Sequence, residues 1–239
     1  MRKIIFLCAV ISLFGTLGSA LAVRPILAES SNTSNIIVQP IPGPTIGEKL
    51  AQRTKASWPW YVTRASGLVA AVSLVLLMVS GIGQVTGYTF RFLEPLTAWA
   101  THRALGITFA IAVFLHIFAL LFDHFAPFTI WQVLIPWLSN YKPATIFGLH
   151  VGTLYVALGV LAFYGVIIVV LSSYIWLEKK PALWKLLHLL SYIIMLFVFI
   201  HSLYLGTDLV HGVFRWIWII SGYIVIAVVV HRLYRARTT

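Results

Sequence analysis

Thr101-His102-Arg103-Ala104-Leu105-Gly106, running on through apolar residues to Leu115-His116, decides how this chain folds. The stretch reads as a membrane helix with a histidine near each end. At about 1.5 Å per residue, the fourteen steps between those histidines cover roughly 21 Å. At about 100° per residue they return to within roughly 40° of the start, so both rings share a face. Leu187-His188-Leu189 to Ile200-His201 repeats the theme over thirteen steps. An ionisable side chain within a bilayer is costly and marks function by default.

The composition agrees with a membrane setting. Of 239 residues, 60% are hydrophobic and 10% charged, and the mean hydropathy is +0.95. Lys and Arg number 17 against 6 Asp and Glu, but they lie mostly in loops and tails between apolar runs. That placement suits anionic headgroups and topology, and nucleic acid is excluded as a partner. The single cysteine, Cys8, rules out an intrachain disulfide and a cysteine metal cluster. No glycine-rich dinucleotide fingerprint or phosphate loop is present.

Around the histidine stretches the chain divides as follows. Residues 1–22 open Met-Arg-Lys, turn apolar at Ile4 and end Ala20-Leu21-Ala22. They read equally as a signal peptide or as a retained first membrane helix. Residues 23–57, with Pro40-Ile41-Pro42-Gly43-Pro44, read as an extended extracytoplasmic linker. The membrane domain covers 58–232, with spans expected at 60–87, 100–122, 146–175, 183–205 and 213–230. The run 128–138 holds Pro136 and is too short to cross, so it is placed in the interface. Residues 233–239 form a basic tail. The expected fold is an all-α integral membrane bundle of five core spans, plus the signal peptide or sixth span.

Arg91, Arg103, Lys179, Lys180, Lys185, Arg232, Arg235 and Arg237 fall on one side, which is read as cytoplasmic. The C-terminus is then inside, and a bacterial plasma membrane is the expected location. One span separates the two histidine helices, so they run in the same direction. His102 and His188 then share the inner depth, and His116 and His201 the outer depth. Depth matching is what two axial ligands on one iron require, so the four histidines are expected to hold two stacked haems. Thirteen steps leave His188 and His201 roughly 140° out of phase on an ideal helix. Either a short 3₁₀ stretch tightens that helix, or its tilt turns the two rings to different edges. Arg64 and Arg103 are candidates to pair with haem propionates, with snorkelling to headgroups the alternative. Gly106 and Gly152 make room for porphyrin or for helix contact. His124, His150, His211 and His231 read as loop or interfacial residues, the first three near Asp123 and Asp208 on the outer side.

Several motifs resemble the ferric reductase-like transmembrane domain, the family of ferric reductases and NADPH oxidases. They are Trp60-Tyr61-Val62-Thr63-Arg64-Ala65-Ser66-Gly67, His102-Arg103-Ala104-Leu105-Gly106 to His116, and Pro136 with Ser139-Asn140-Tyr141-Lys142-Pro143. Leu171-Ser172-Ser173 and Trp184-Lys185-Leu186-Leu187-His188-Leu189-Leu190-Ser191-Tyr192 to His201 complete the set. The resemblance spans about 58–207, and the spacings of fourteen and thirteen resemble the oxidase branch. It implies two b-type haems that carry electrons across the membrane. Such reductases continue into a flavin and nicotinamide domain, which this sequence does not show. The chain is also similar to the haem subunit of bacterial methionine sulfoxide reductase systems, differing in carrying His102. The expected role is an electron-transfer subunit fed by a separate flavin reductase or by quinol, and delivering to an outer-side acceptor. The competing class is a non-redox membrane protein that uses its histidines for metal-ion binding or transport.

Overall fold

Five apolar helices dominate the computed structural model, which describes residues 46–235, with side chains from Ser57 onward. The readings of residues 1–45 and 236–239 lie outside the described residues. Helix α1 is Ile46–Val85 and α2 is Pro95–Leu120; a 3₁₀ turn, Thr89–Arg91, lies between them. A 33-residue connection follows, residues 121–153, with a short helix α3 (Ile130–Leu134) and a hairpin of β1 (Thr145–Ile146) with β2 (Leu149–His150). Then come α4 (Leu154–Ile175), α5 (Pro181–His188), α6 (Leu190–Leu205) and α7 (Val213–Arg235). The membrane-crossing lengths are Ser57–Val85, Pro95–Leu120, Leu154–Ile175, Pro181–Leu205 and Val213–Arg235, with α5 and α6 forming one span. The protein is an all-α integral membrane bundle.

Some boundaries differ from the sequence expectation. Residues 46–57, expected as extended linker, are helical and continue into the first span through Pro59. Their sequence, rich in Glu, Lys, Leu, Ala and Gln, has high helix propensity. Residues 146–150, expected as the start of a span, form the hairpin instead. Phe147 and Gly148 both take positive φ there, 50° and 80°, which turns the chain back on itself. Residues 231–235 extend α7 and do not start a tail.

Alternate spans run in opposite directions, giving a long-loop face and a short-loop face. At the long-loop face Trp58 meets Phe122, Trp60 meets Phe125, and Arg64 pairs with Asp208. At the short-loop face Tyr88 meets His231, and Arg235 donates to the Thr86 carbonyl. Helix α1 is central and packs along α2, α6 and α7 through a buried stripe of Ser66, Ala70, Ala71, Ser73, Leu74, Met78 and Ile82. Helix α4 packs along α5 and α6. Ile107, Ile111, Phe114 and Phe118 on α2 stay exposed, as expected of a surface solvated by acyl chains.

Candidate functional site: two facing histidine pairs

Helix α2, with His102 and His116, scarcely touches the α5–α6 span, which carries His188 at the end of α5 and His201 on α6. Each packs on its own neighbour, α2 on α1 and α6 on α4. The space left between them is where the four rings meet. His102 faces His188 with ring centroids 6.2 Å apart, and His116 faces His201 at 6.4 Å. The interplanar angles are 52° and 83°. The depth matching read from topology is therefore present as geometry.

The phase mismatch of His188 and His201 is reduced at Leu189. There the ladder tightens: the Leu189 amide is shared between Lys185 O and Leu186 O, both at 3.2 Å, and the Tyr192 amide reaches Leu189 O at 3.2 Å. Leu189 itself sits at φ −64°, ψ −19°, a 3₁₀ conformation. Three residues wound at about 120° recover roughly 60° of the mismatch. Local tightening, one of the two alternatives, is thus observed.

Three of the four rings are fixed from behind by the neighbouring helix. Nδ1 of His116 donates to the Thr63 carbonyl at 2.9 Å, and Nδ1 of His201 donates to the Tyr155 carbonyl at 2.8 Å. A carbonyl only accepts, so Nδ1 carries the proton in both rings and Nε2 keeps its lone pair. His102 Nδ1 lies 3.0 Å from Ser80 Oγ, whose own hydroxyl is within reach of Leu77 O at 3.2 Å. With Ser80 donating to Leu77, its lone pair receives the His102 proton. The Nδ1 atom of His188 is buried without a partner among the described residues, beside the Trp184 ring at 5.3 Å.

Glycines admit the rings. A Cβ on Gly67 would lie 3.1 Å from His116 Nδ1, and one on Gly81 would lie 3.0 Å from His102 Cε1. On Gly159 it would lie 2.6 Å from both Cε1 and Nδ1 of His201, closer than side chains tolerate. Gly67 and Gly81 are fourteen residues apart, as are His102 and His116, and the two spacings run antiparallel. That match is visible in the sequence. Gly106, expected to make room, meets only Leu77 at 3.9 Å, and Gly152 lies just after β2 at φ +59°, beside Trp137 at 3.5 Å. Ser80, Tyr155 and Gly159 carried no sequence signal, because their roles arise from helix packing.

The His116–His201 pair opens into a cavity of about 660 Å³, within the roughly 300–1,000 Å³ typical of small-molecule and cofactor sites. Its walls are apolar, with Phe109, Val113, Val160 and Phe163 among them. Arg64 and Asp208 line its long-loop end. Arg64 Nε donates to Asp208 Oδ2 at 2.9 Å, a second guanidinium nitrogen bonds Oδ1, and the group lies 4.2 Å over the Trp60 ring. Arg103, the other arginine candidate, is exposed over Trp99 at 5.4 Å. His124, His150, His211 and His231 are exposed. Among the described residues no three His, Cys, Asp or Glu side chains gather as a metal-ion site would need.

Asp208→Ala removes the one carboxylate bonded to Arg64 among the described residues, and the side chains of the pair are 34% and 18% exposed. The expected cost is about 1–2 kcal/mol, the lower part of the range for charged hydrogen bonds because solvent screens the pair. Thermal unfolding in detergent would register it as a lowered midpoint. An unchanged midpoint would show the pair to be energetically neutral.

No family model, curated protein or solved structure matches this chain.

Proposed function

We propose that this protein is a transmembrane b-type cytochrome that carries single electrons through two bis-histidine haems, one between His102 and His188 and one between His116 and His201. The observation that carries the reading is the spacing of the ring pairs. A metal–nitrogen bond of about 2 Å and a ring radius of about 1.1 Å put two imidazoles on opposite sides of one metal about 6.3 Å apart, centre to centre. The pairs stand at 6.2 and 6.4 Å. The protonated Nδ1 atoms of His116 and His201 are turned to carbonyls, which leaves Nε2 as the ligating nitrogen. Two donors per site suit a macrocycle that brings four nitrogens of its own. A bare ion would need further protein ligands.

Haem supplies a one-electron couple when bound. The chain's residues hold the rings, exclude water with apolar walls, and set Arg64 at the cavity end where a propionate carboxylate would lie. The ferric reductase-like motifs support the same reading. In it the short-loop face is cytoplasmic and the membrane is a bacterial plasma membrane. Lys179, Lys180, Lys185, Arg232 and Arg235 on that face would steer an acidic flavin reductase, with quinol as the other donor, and the acceptor lies outside.

Purified protein should show a Soret band and two haems per chain by pyridine haemochrome. Reduction by NADPH alone should be slow or absent. A flavin reductase or a quinol should restore it, at a rate that falls with salt if the reductase docks on the basic face. One haem or none per chain would defeat the cytochrome reading. Rapid reduction by NADPH unaided would defeat the need for a separate donor.

A further inference from the structure

The connection 121–153 closes the long-loop end of the bundle, and one hydrogen bond reveals its depth. The Tyr164 hydroxyl donates to the Leu134 carbonyl at 2.7 Å. Tyr164 lies ten residues into α4, about 15 Å along a helix whose 22 residues, about 33 Å, match the roughly 30 Å hydrocarbon core. A helical side chain leans toward its own N-terminus, so the phenol reaches back toward the long-loop face. Leu134 nonetheless lies inside the level of Leu154, where α4 begins.

Backbone at that depth must satisfy its own polar groups, and this segment does so locally. Thr129 and Gln132 form a reciprocal capping box that occupies both their amides. Val133 N bonds Thr129 O, Ile135 N bonds Trp131 O, and Leu138 N bonds Ile135 O. Pro136 has no N–H to satisfy. From Thr129 to His150 the sequence contains no acidic residue and one lysine, Lys142. Val133 turns inward to the cavity wall, while Ile130, Trp131 and Ile135 are exposed, Trp131 by 63%.

We propose that residues 129–138 form a re-entrant segment that dips beside α4 and sets Ile130, Trp131 and Ile135 against lipid acyl chains. Its occupant is the bilayer itself, because an exposed face without charge at the depth the Tyr164 hydroxyl reaches, inside the level of Leu154, meets hydrocarbon. Val133 on the opposite side then seals the cavity of His116 and His201 from within the membrane. The inference does not depend on haem.

The test uses the full chain with Cys8→Ser, carrying a nitroxide on Trp131→Cys and reconstituted in phosphatidylcholine–phosphatidylglycerol vesicles. Comparators carry the label at Phe114→Cys, exposed on α2, and at Lys142→Cys. Collisions with oxygen, which partitions into lipid, are compared with those of a water-soluble nickel chelate. The expected oxygen-to-nickel ratio at 131 is close to that at 114 and several-fold above that at 142. A ratio like that at 142 would place the segment in water. Low access to both reagents would mean that protein, such as a second copy, covers it. Either result overturns the proposal. Ile130→Cys reports on the same exposed face should Trp131→Cys not fold.

Discussion

His116→Ala and His201→Ala are each expected to lower haem content from two per chain to one and to remove the same spectral component. His102→Ala and His188→Ala should each remove the other. The expectation rests on the pairing across the gap between α2 and the α5–α6 span, where His116 stands 6.4 Å from His201 and His102 stands 6.2 Å from His188. On the proposed reading, a haem held between two histidines would lose half of its protein ligands, so near-complete loss of that haem is expected. Redox-difference spectra of the four variants, with haem-to-protein ratios, check it. If His102→Ala and His201→Ala removed a common component, the pairing would be wrong. If all four removed both haems, the two sites would fold as one unit.

Gly159→Ala should empty the site of His116 and His201 while leaving every ligand in place. The added methyl would lie 2.6 Å from the His201 ring, where ordinary contact begins near 3.4 Å. The ring must move by most of an ångström, and it cannot do so while donating to the Tyr155 carbonyl one turn away. Disturbing a ligand's support typically weakens metal binding by about 10–100-fold. The expected result is loss of the outer component in haem titration, with the inner one retained. Gly106→Ala is the control, since its nearest neighbour is Leu77 at 3.9 Å and no histidine is near. Equal loss in both variants would mean that helix propensity and packing, not the imidazole cradle, determine the outcome.

The five spans were legible because apolar runs of membrane length have one stable form in lipid, the helix. The four histidines were legible for the same reason: few other ionisable groups interrupt those runs, and alternation of spans brings equal depths together. Helix ends were less so. The first span was expected to start at 60, yet the helix runs on through Pro59 because residues 46–57 favour helix strongly enough to continue.

The roles of Gly159, Ser80 and Tyr155 lay beyond reach from the chain's order alone. A glycine in a membrane helix is common, and whether it faces lipid or an imidazole depends on helix rotation. Hydropathy does not specify that rotation when every face is apolar; packing of α1 on α2 and of α4 on α6 does. The same holds for the thirteen-residue spacing, whose phase error is partly absorbed by a tightened turn at Leu189 that no local residue signals. Asp208 and Arg64 stand 144 positions apart and meet only because the α6–α7 loop returns to the start of α1. Hydrophobic periodicity and length are properties of each segment and can be read one segment at a time. The mutual rotation of segments, and therefore what each buried ring touches, is a property of the assembled bundle.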